Sequence, residues 1–317
     1  MRAHAPGTPG AARAAVQGLS AALRAPGLLL AIVLITIVAA MPFAIAVERP
    51  VMDSLAAQPP VPAISASEID AEWWLEFRRH ANGLAATFTP AILGFAAPLE
   101  TVSALLDGTS RPWALAGPIA VFALLWSWLW GGVLHRFATN TTSARAFVAA
   151  ASRHFVPMAA ITLIAAAFSA LLYLSVHALL FDVLYDRVAS GLRSERDAFF
   201  ARVALYLVFG AVLVLANAVF SFARVHVVAG GERRIVGAVV RGWTFVRARL
   251  SSTAGLYAIY LGMFAVVMIA YGATELLGGS RVGGWRAVVI GQAFIVFRLG
   301  LRLALAASQV KLAAGRQ

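Results

Sequence analysis

Long apolar segments alternate with short polar stretches along the chain, and six of these segments are long enough to cross a membrane. Each contains roughly the 20 residues that an α-helix needs to span the hydrocarbon core of a bilayer. A seventh apolar segment, residues 90–106, is shorter and is interrupted by Pro98 and Glu100, which favours an interfacial or re-entrant helix. The pattern predicts an all-α polytopic membrane helix bundle with six transmembrane helices, at residues 28–47, 113–134, 155–181, 203–222, 253–277 and 285–307.

Short cationic amphipathic helices are predicted ahead of the first, third and fifth spans, which gives the chain a threefold internal pattern. In each of them, apolar residues recur at helical spacing on one face and polar residues lie on the other. We expect three amphipathic elbow helices at the inner leaflet that anchor and orient the hairpins. Headgroup recognition by their arginines is the alternative. The apolar faces are Val16, Leu19 and Leu23; Phe147, Ala151 and Phe155; and Ile235, Val239, Trp243, Val246 and Leu250. The arginines expected to contact inner-leaflet lipid are Arg145, Arg153, Arg234 and Arg241.

The connection between the first two spans, residues 48–112, is the one large region predicted outside the membrane. A proline-rich linker at residues 58–62 is followed by Ser65 and Glu68, which have the spacing of a capping box. Trp73, Trp74 and Phe77 then follow in the stretch "IDAEWWLEFRRH". Because tryptophans favour the headgroup level, we expect a helix at the outer interface. A partner-binding aromatic face is the alternative.

The charge distribution gives the orientation of the bundle. With the N-terminus inside, the inner segments hold 16 of the 26 basic residues, and the outer segments hold 13 of the 14 acidic ones. By the positive-inside rule, both termini are expected in the cytoplasm. This leaves residues 1–27 as a cytoplasmic tail with an elbow, 28–307 as the membrane domain and 308–317 as a cytoplasmic tail. The run Ala44–Ile45–Ala46 resembles a signal-peptidase site, but the apolar run before it is too long for a cleaved signal.

The composition agrees with a membrane protein and narrows its partners. The chain is 61% hydrophobic and 13% charged, whereas charged residues make up about a quarter of a soluble domain. The net charge of +12 is explained by the positive residues that orient the bundle, so it gives no reason to expect nucleic acid as a partner. Membrane lipids are the expected partners, and another membrane protein is a further candidate. Only Lys311 is a lysine, and the chain is rich in alanine. This suggests a GC-rich bacterial genome and therefore the bacterial cytoplasmic (inner) membrane.

Two arginines interrupt the last span, in the stretch "QAFIVFRLGLRLALAAS". If this span enters from outside at Trp285, Arg298 lies about 20 Å down and Arg302 one turn further. Arg302 is then expected to snorkel to the cytoplasmic headgroups, whereas Arg298 requires a partner inside the bundle. Asn217 of the fourth span lies at the same depth, so we predict an intramembrane site of Arg298 and Asn217 with Arg302 below it. In the alternative, both arginines snorkel along one face.

Reactive chemistry is sparse in the sequence. The chain has no cysteine, and no two of its six histidines have metal-ligand spacing. The best metal candidate is His177 with Asp182 and Asp186, for which ordinary interfacial polarity is the simpler interpretation. Hydrolase and phosphate-loop motifs are absent. We therefore expect no catalytic residues, no cofactor and no metal.

Three stretches carry a resemblance: "WSWLWGGVLHRFA", "FSFARVHVVAGGERR" and "QAFIVFRLGLRLALAAS". With them, residues 10–312 resemble uncharacterised six-helix bacterial membrane proteins, distantly similar to the membrane domain of glycerophosphodiester phosphodiesterases. The resemblance implies the six-helix topology. It implies no phosphodiesterase activity, because this chain has no soluble catalytic domain.

The expected function is that of a non-enzymatic membrane scaffold, assembly factor or accessory subunit. The alternative is a transporter or lipid-handling permease for an anionic solute or headgroup, with Arg298 lining the route. An intramembrane enzyme acting on lipid is the least favoured reading, because the sequence contains no nucleophile or acid–base pair.

Overall fold

The structure, a computed structural model, describes residues 10–56, 71–89, 96–109, 112–232, 234–278 and 285–315. Within these ranges the chain forms eleven α-helices and no strand. π-helical turns at Tyr173–His177 and Leu179–Leu184 join α6 to α7. The helices are α1 (Ala11–Leu23), α2 (Pro26–Ala56), α3 (Ala71–His80), α4 (Ala96–Leu106), α5 (Ala116–Thr139), α6 (Ala144–Leu172), α7 (Tyr185–Ala189), α8 (Glu195–Val228), α9 (Ile235–Ala248), α10 (Leu250–Gly278) and α11 (Trp285–Ala314).

The six predicted membrane spans are confirmed as helices of the required length and apolarity. In the described part of the chain these helices run over Pro26–Ala56, Trp113–Thr139, Ala144–Ala189, Glu195–Val228, Leu250–Thr274 and Trp285–Ala314. Helix α4 has 11 residues and is therefore about 16 Å long, half of a hydrocarbon core. It is too short to span, as predicted, while residues 90–95 of that prediction lie outside the described residues.

Packing is concentrated at one end of the bundle, where the C-terminal halves of α5, α8 and α11 meet α1 and α9. We call this the packed end. In α5, burial begins at Trp126, and in α8 most buried residues lie between Ala218 and Val227. Towards the opposite end most side chains of these helices are exposed. Such apolar side chains are stable against lipid, which is as apolar as a protein core.

Two of the three elbow segments are separate helices, α1 and α9. They dock on the bundle through small residues: Gly18 packs against Ser308 of α11, and Gly242 packs against Val219 and Ala223 of α8. Several larger side chains remain exposed, among them Val16, Leu23, Val236 and Trp243. The buried face of α1 contains only small residues, whereas α9 also buries Phe245 and Val246.

The second predicted elbow is not a separate helix. Ser143 caps α6, its side chain accepting from the Ala146 N–H, and α6 then runs without interruption through Pro157. Pro157 lies near the predicted boundary between this elbow and its span, yet the helix continues through it. The boundary between α1 and α2 differs, because Ala25, the residue before Pro26, lies outside both helices.

The predicted C-terminal tail, residues 308–317, is also wrong at its start, because α11 continues to Ala314. Ser308 and Gln309 look like the polar end of a span, yet both are buried. The Ser308 hydroxyl lies 2.8 Å from the Tyr260 hydroxyl, and Gln309 Nε2 donates to the Tyr257 hydroxyl at 3.0 Å. Because both side chains have hydrogen-bond partners inside the bundle, they can be buried without ending the helix.

Candidate functional site

A partly buried arginine stacks on an indole ring at the centre of the bundle. The guanidinium carbon of Arg302, on α11, lies 3.6 Å from the centroid of the Trp126 ring and 5.1 Å from that of Trp130, both on α5. Trp126 itself is buried, with 4% of its surface exposed. Cation–π contacts of this kind are strongest where water is excluded.

A second arginine enters the same region from α8. Nη2 of Arg224 donates to the Thr162 hydroxyl of α6 at 3.4 Å, a long hydrogen bond, and the Ser127 hydroxyl of α5 lies 3.0 Å from that of Thr162. Residues of α5, α6, α8 and α11 therefore meet around the two guanidinium groups. We call Arg224, Arg302, Trp126, Ser127 and Thr162 the arginine cluster.

Two buried donors of the arginine cluster have no acceptor among the described residues. They are Nε of Arg224 and Nε1 of Trp126. Both groups can only donate, so a hydrogen-bond acceptor is what the site lacks. Nearly all buried polar groups in native proteins are paired with protein, water or ligand.

The charge of the arginine cluster is also uncompensated. Arg224 and Arg298 both lie close enough to Arg302 to act on it electrostatically, and both carry the same charge. The ion pairs found between described residues involve Glu76, Asp107 and Glu232, and none of them includes Arg224 or Arg302. The cluster therefore places two positive charges between helices without a carboxylate partner.

The predicted partnership of Arg298 and Asn217 is wrong. Arg298 is exposed, and no hydrogen bond between described residues joins it to Asn217, whose Nδ2 instead lies 3.5 Å from the Tyr257 hydroxyl. The interior arginine is Arg302, which had been expected to snorkel. The angular positions of the two arginines on α11 explain why Arg302, and not Arg298, faces the interior. Arg302 flanks the buried row that contains Leu299 and Leu303. Arg298 lies four residues earlier, which places it about 40° further around the helix from that row.

The structure gives the predicted lipid-contacting arginines different surroundings. Arg145, Arg153 and Arg234 are exposed, which leaves their lipid contact a prediction. Arg241 is paired within the protein, since its Nη2 lies 2.8 Å from Glu232 Oε2. An arginine that already has a carboxylate partner gains less from a lipid phosphate.

The outer aromatic residues lie on α3, which was predicted as a helix. Trp73 and Phe77 are buried, with 3% and 5% of their surfaces exposed, and Trp73 Nε1 donates to the Ser54 hydroxyl of α2 at 3.2 Å. Trp74 is partly buried and packs edge-on against Phe88 at 6.0 Å. Trp73 and Phe77 are thus used in packing within the protein, and Trp74 is the one of the three that is partly exposed. The predicted capping box, Ser65 with Glu68, lies outside the described residues.

A second polar region lies at the end opposite the packed end. A cavity of about 460 Å³ is lined by Asp107, Thr109, His177, Phe181, Asp182, Tyr185, Arg202 and Tyr206. His177 Nε2 lies 3.0 Å from the Leu106 carbonyl, so this nitrogen is committed to the backbone. Asp186 does not line the cavity, and no group of three acidic or histidine residues in the described part is placed to hold a metal.

Asp107 is held as a carboxylate in this cavity. The Tyr206 hydroxyl donates to Asp107 Oδ1, and the Ser103 hydroxyl donates to Oδ2 at 2.8 Å. These hydrogen bonds, together with the charge of Arg202, lower the pKa of Asp107 below its usual value. The carboxylate joins the end of α4 to α8.

Comparison with family models, curated proteins and solved structures found no match for this chain. The resemblance of its three stretches therefore stays a prediction. The same stretches nevertheless contain Trp126, Arg224 and Arg302, and sequence analysis missed the first two as site residues. Arg224 lies beyond the predicted fourth span, residues 203–222. A longer fourth helix, such as α8, carries it into the bundle.

Proposed function

We propose that this chain is an integral membrane protein that binds an anionic group, of a lipid headgroup or a solute, in the arginine cluster. One observation carries the proposal: the two interior guanidinium groups have no carboxylate partner, and Nε of Arg224 and the indole N–H of Trp126 are buried without an acceptor among the described residues. Arginines within a membrane bundle are expensive and mark functional sites by default. The proposed activity is binding rather than a reaction.

The depth of the site supports a headgroup ligand. Arg302 lies 17 residues after Trp285, which corresponds to about 25 Å along α11. In a hydrocarbon core about 30 Å thick, this is close to the boundary at the packed end. Basic pockets between transmembrane helices at that level bind anionic headgroups on the cytoplasmic side. We therefore place the packed end, with both termini, at the cytoplasmic face of a bacterial inner membrane, which the charge asymmetry of the sequence supports.

The arginine cluster favours the permease or lipid-handling alternative over the scaffold expected first from the sequence. Arg224 and Arg302 take the place of Arg298 in that hypothesis. Helix α11 contributes Arg302, and α5 and α8 contribute Trp126 and Arg224, so a bound anion would join three helices. A scaffold has no need for an uncompensated charge pair in this position, since a buried unpaired charge only destabilises it.

Lipid binding by matched variants tests the proposal. We would purify the protein in mild detergent and measure bound lipid by native mass spectrometry, for the wild type, Arg224→Gln, Arg302→Gln and the control Arg286→Gln, an exposed arginine at the opposite end of α11. We expect retained or added anionic lipid on the wild type and on the control, and about tenfold weaker binding to the two cluster variants, the loss of one charge-assisted contact. Circular dichroism and gel filtration would first establish that each variant is folded. Equal binding of anionic lipid and anionic solutes to all four proteins, or a stoichiometric protein partner without any bound anion, contradicts the proposal.

A further inference from the structure

We infer that the anion taken by the arginine cluster is a dianionic phosphate, the terminal phosphate monoester of a lipid or free phosphate, rather than a diester or a carboxylate. The inference rests on the proposed function and adds the class of ligand. It follows from the number of charges and from the number and kind of donors that the cluster leaves open.

The charge count favours a dianion. Arg224 and Arg302 interact electrostatically, and no carboxylate of the described residues pairs with either of them. A phosphate monoester carries between one and a half and two negative charges at neutral pH. A phosphodiester or a carboxylate carries one and would leave one guanidinium uncompensated. An uncompensated charge between helices is costly, so the better ligand is the one that neutralises both.

The open donors match the three terminal oxygens of such a group. Nε of Arg224 and Nε1 of Trp126 are buried and have no acceptor among the described residues. The guanidinium of Arg302 lies over the Trp126 ring, and no hydrogen bond joins it to a described residue. An anion that reaches the cluster would have donors of Arg224, Trp126 and Arg302 to bind, from α8, α5 and α11. Arginine presents a fixed fork of N–H groups that suits phosphate, and stacking on an aromatic ring holds this fork in place.

The indole donor separates this site from a generic basic patch. Trp126 supplies a neutral N–H, which selects among anions by the position of an acceptor oxygen and not by the charge of the anion. The ring of the same residue holds Arg302. Exposed arginines such as Arg298 lack this support. Selectivity for phosphate is therefore expected to depend on Trp126 as well as on the two arginines.

The test compares ligands that differ in the phosphate alone. Delipidated protein in detergent would be titrated at pH 7.5 with phosphatidic acid, a monoester, and with phosphatidylglycerol, a diester, both with the same acyl chains. We expect tighter binding of phosphatidic acid by about tenfold. This preference should shrink as the pH falls below about 6, where the second phosphate proton returns. Arg224→Gln and Arg302→Gln should abolish it, Trp126→Phe should reduce it, and Arg286→Gln, at the opposite end of α11, should retain it.

Competition with inorganic phosphate distinguishes the two sources of the group. If millimolar phosphate displaces phosphatidic acid from the wild type, the cluster accepts the free ion; if it does not, the acyl chains are part of recognition and the ligand is a lipid. Equal binding of the two lipids, still lost in Arg224→Gln and Arg302→Gln, would overturn the monoester inference and leave the anion site standing. Binding that is unchanged in both of these variants would overturn the inference and the proposed function together.

Discussion

At the scale of single residues, Trp126 has two roles in the arginine cluster. Its ring face holds the Arg302 guanidinium at 3.6 Å, while its N–H is buried without an acceptor among the described residues. A desolvated cation–π contact contributes about 2 kcal/mol. The two roles separate on substitution, because phenylalanine keeps a ring face and has no donor.

Replacing Trp126 is therefore expected to give graded losses of stability. Trp126→Leu removes the stacking and leaves a cavity, and it should cost about 3 kcal/mol. Trp126→Phe should cost less, because a ring face remains. Thermal unfolding in detergent measures both, and Trp113→Leu is the control, since Trp113 is 90% exposed. An unfolding temperature of Trp126→Leu equal to that of the control would show that the stack contributes nothing.

The arginines show which part of the site the sequence could supply. Hydropathy located Arg298 and Arg302 within the last span and gave their approximate depths. It could not decide which of them faces the interior, because the packed row of α11 includes Leu299 and Leu303, and leucines look alike whether they face protein or lipid. Arg224 was missed for a related reason: its helix continues beyond the apolar run that marked the span.

At the scale of elements, close approach through small residues fixes α1 and α9. A Cβ added to Gly18 would lie 1.9 Å from Ser308 Oγ, and one added to Gly242 would lie 2.5 Å from the Val219 carbonyl oxygen. Both are below any real contact distance, so the helices must separate to accommodate a side chain. The sequence predicted these elbows from their large apolar faces. It could not predict that α1 docks through the opposite face of small residues, or that Gly242 of α9 is in close contact with α8.

Gly18→Ala should therefore destabilise the protein by about 1–3 kcal/mol, the usual cost of overpacking. Gly27→Ala is the matched control: Gly27 is also helical, and nothing lies within 4 Å of an added Cβ. Alanine there should be neutral or stabilising, because it is the better helix former. Thermal unfolding compares the two variants. If Gly18→Ala is as stable as Gly27→Ala, α1 is not held by this contact.

Helix α4 is held by side chains that bind its last turn, and this contact is expected to depend on pH. The pKa of Asp107 is lowered in the folded protein, so its stabilising effect is complete above the unfolded value of about 3.9 and is lost as the pH falls through the lower folded value. Asp107→Asn lacks this effect at every pH. The difference in unfolding temperature between the wild type and this variant should therefore be largest at pH 5–6 and shrink towards pH 3. A constant difference over this range would show that the charge of Asp107 is not involved.

At the scale of the whole molecule, the end of the bundle where most side chains are buried is also the end with the basic connection between α8 and α9. The packed end carries α1, the C-terminal end of α11 and the basic connection between α8 and α9. The opposite end carries α3, α4 and the cavity around Asp107. Six spans and an all-helical bundle were predictable because a bilayer constrains span length and composition strongly. The continuous α6 was not, since a proline at the predicted boundary does not break this helix. The buried end of α11 was not, since it depends on the partners that Ser308 and Gln309 find inside the bundle.

The last prediction concerns the sides of the membrane on which the two ends lie. Ser190 and Ala229 flank α8 and are both exposed, and the 34 residues of this helix extend about 51 Å, more than a bilayer core. Because the chain contains no cysteine, Ser190→Cys and Ala229→Cys each introduce a unique thiol. We expect an impermeant maleimide to label Ser190→Cys in intact spheroplasts and Ala229→Cys after lysis only, since the arginines beside Ala229 favour the cytoplasm. Labelling of both in intact spheroplasts would show that α8 does not span, and the reverse pattern would place the arginine cluster near the outer leaflet.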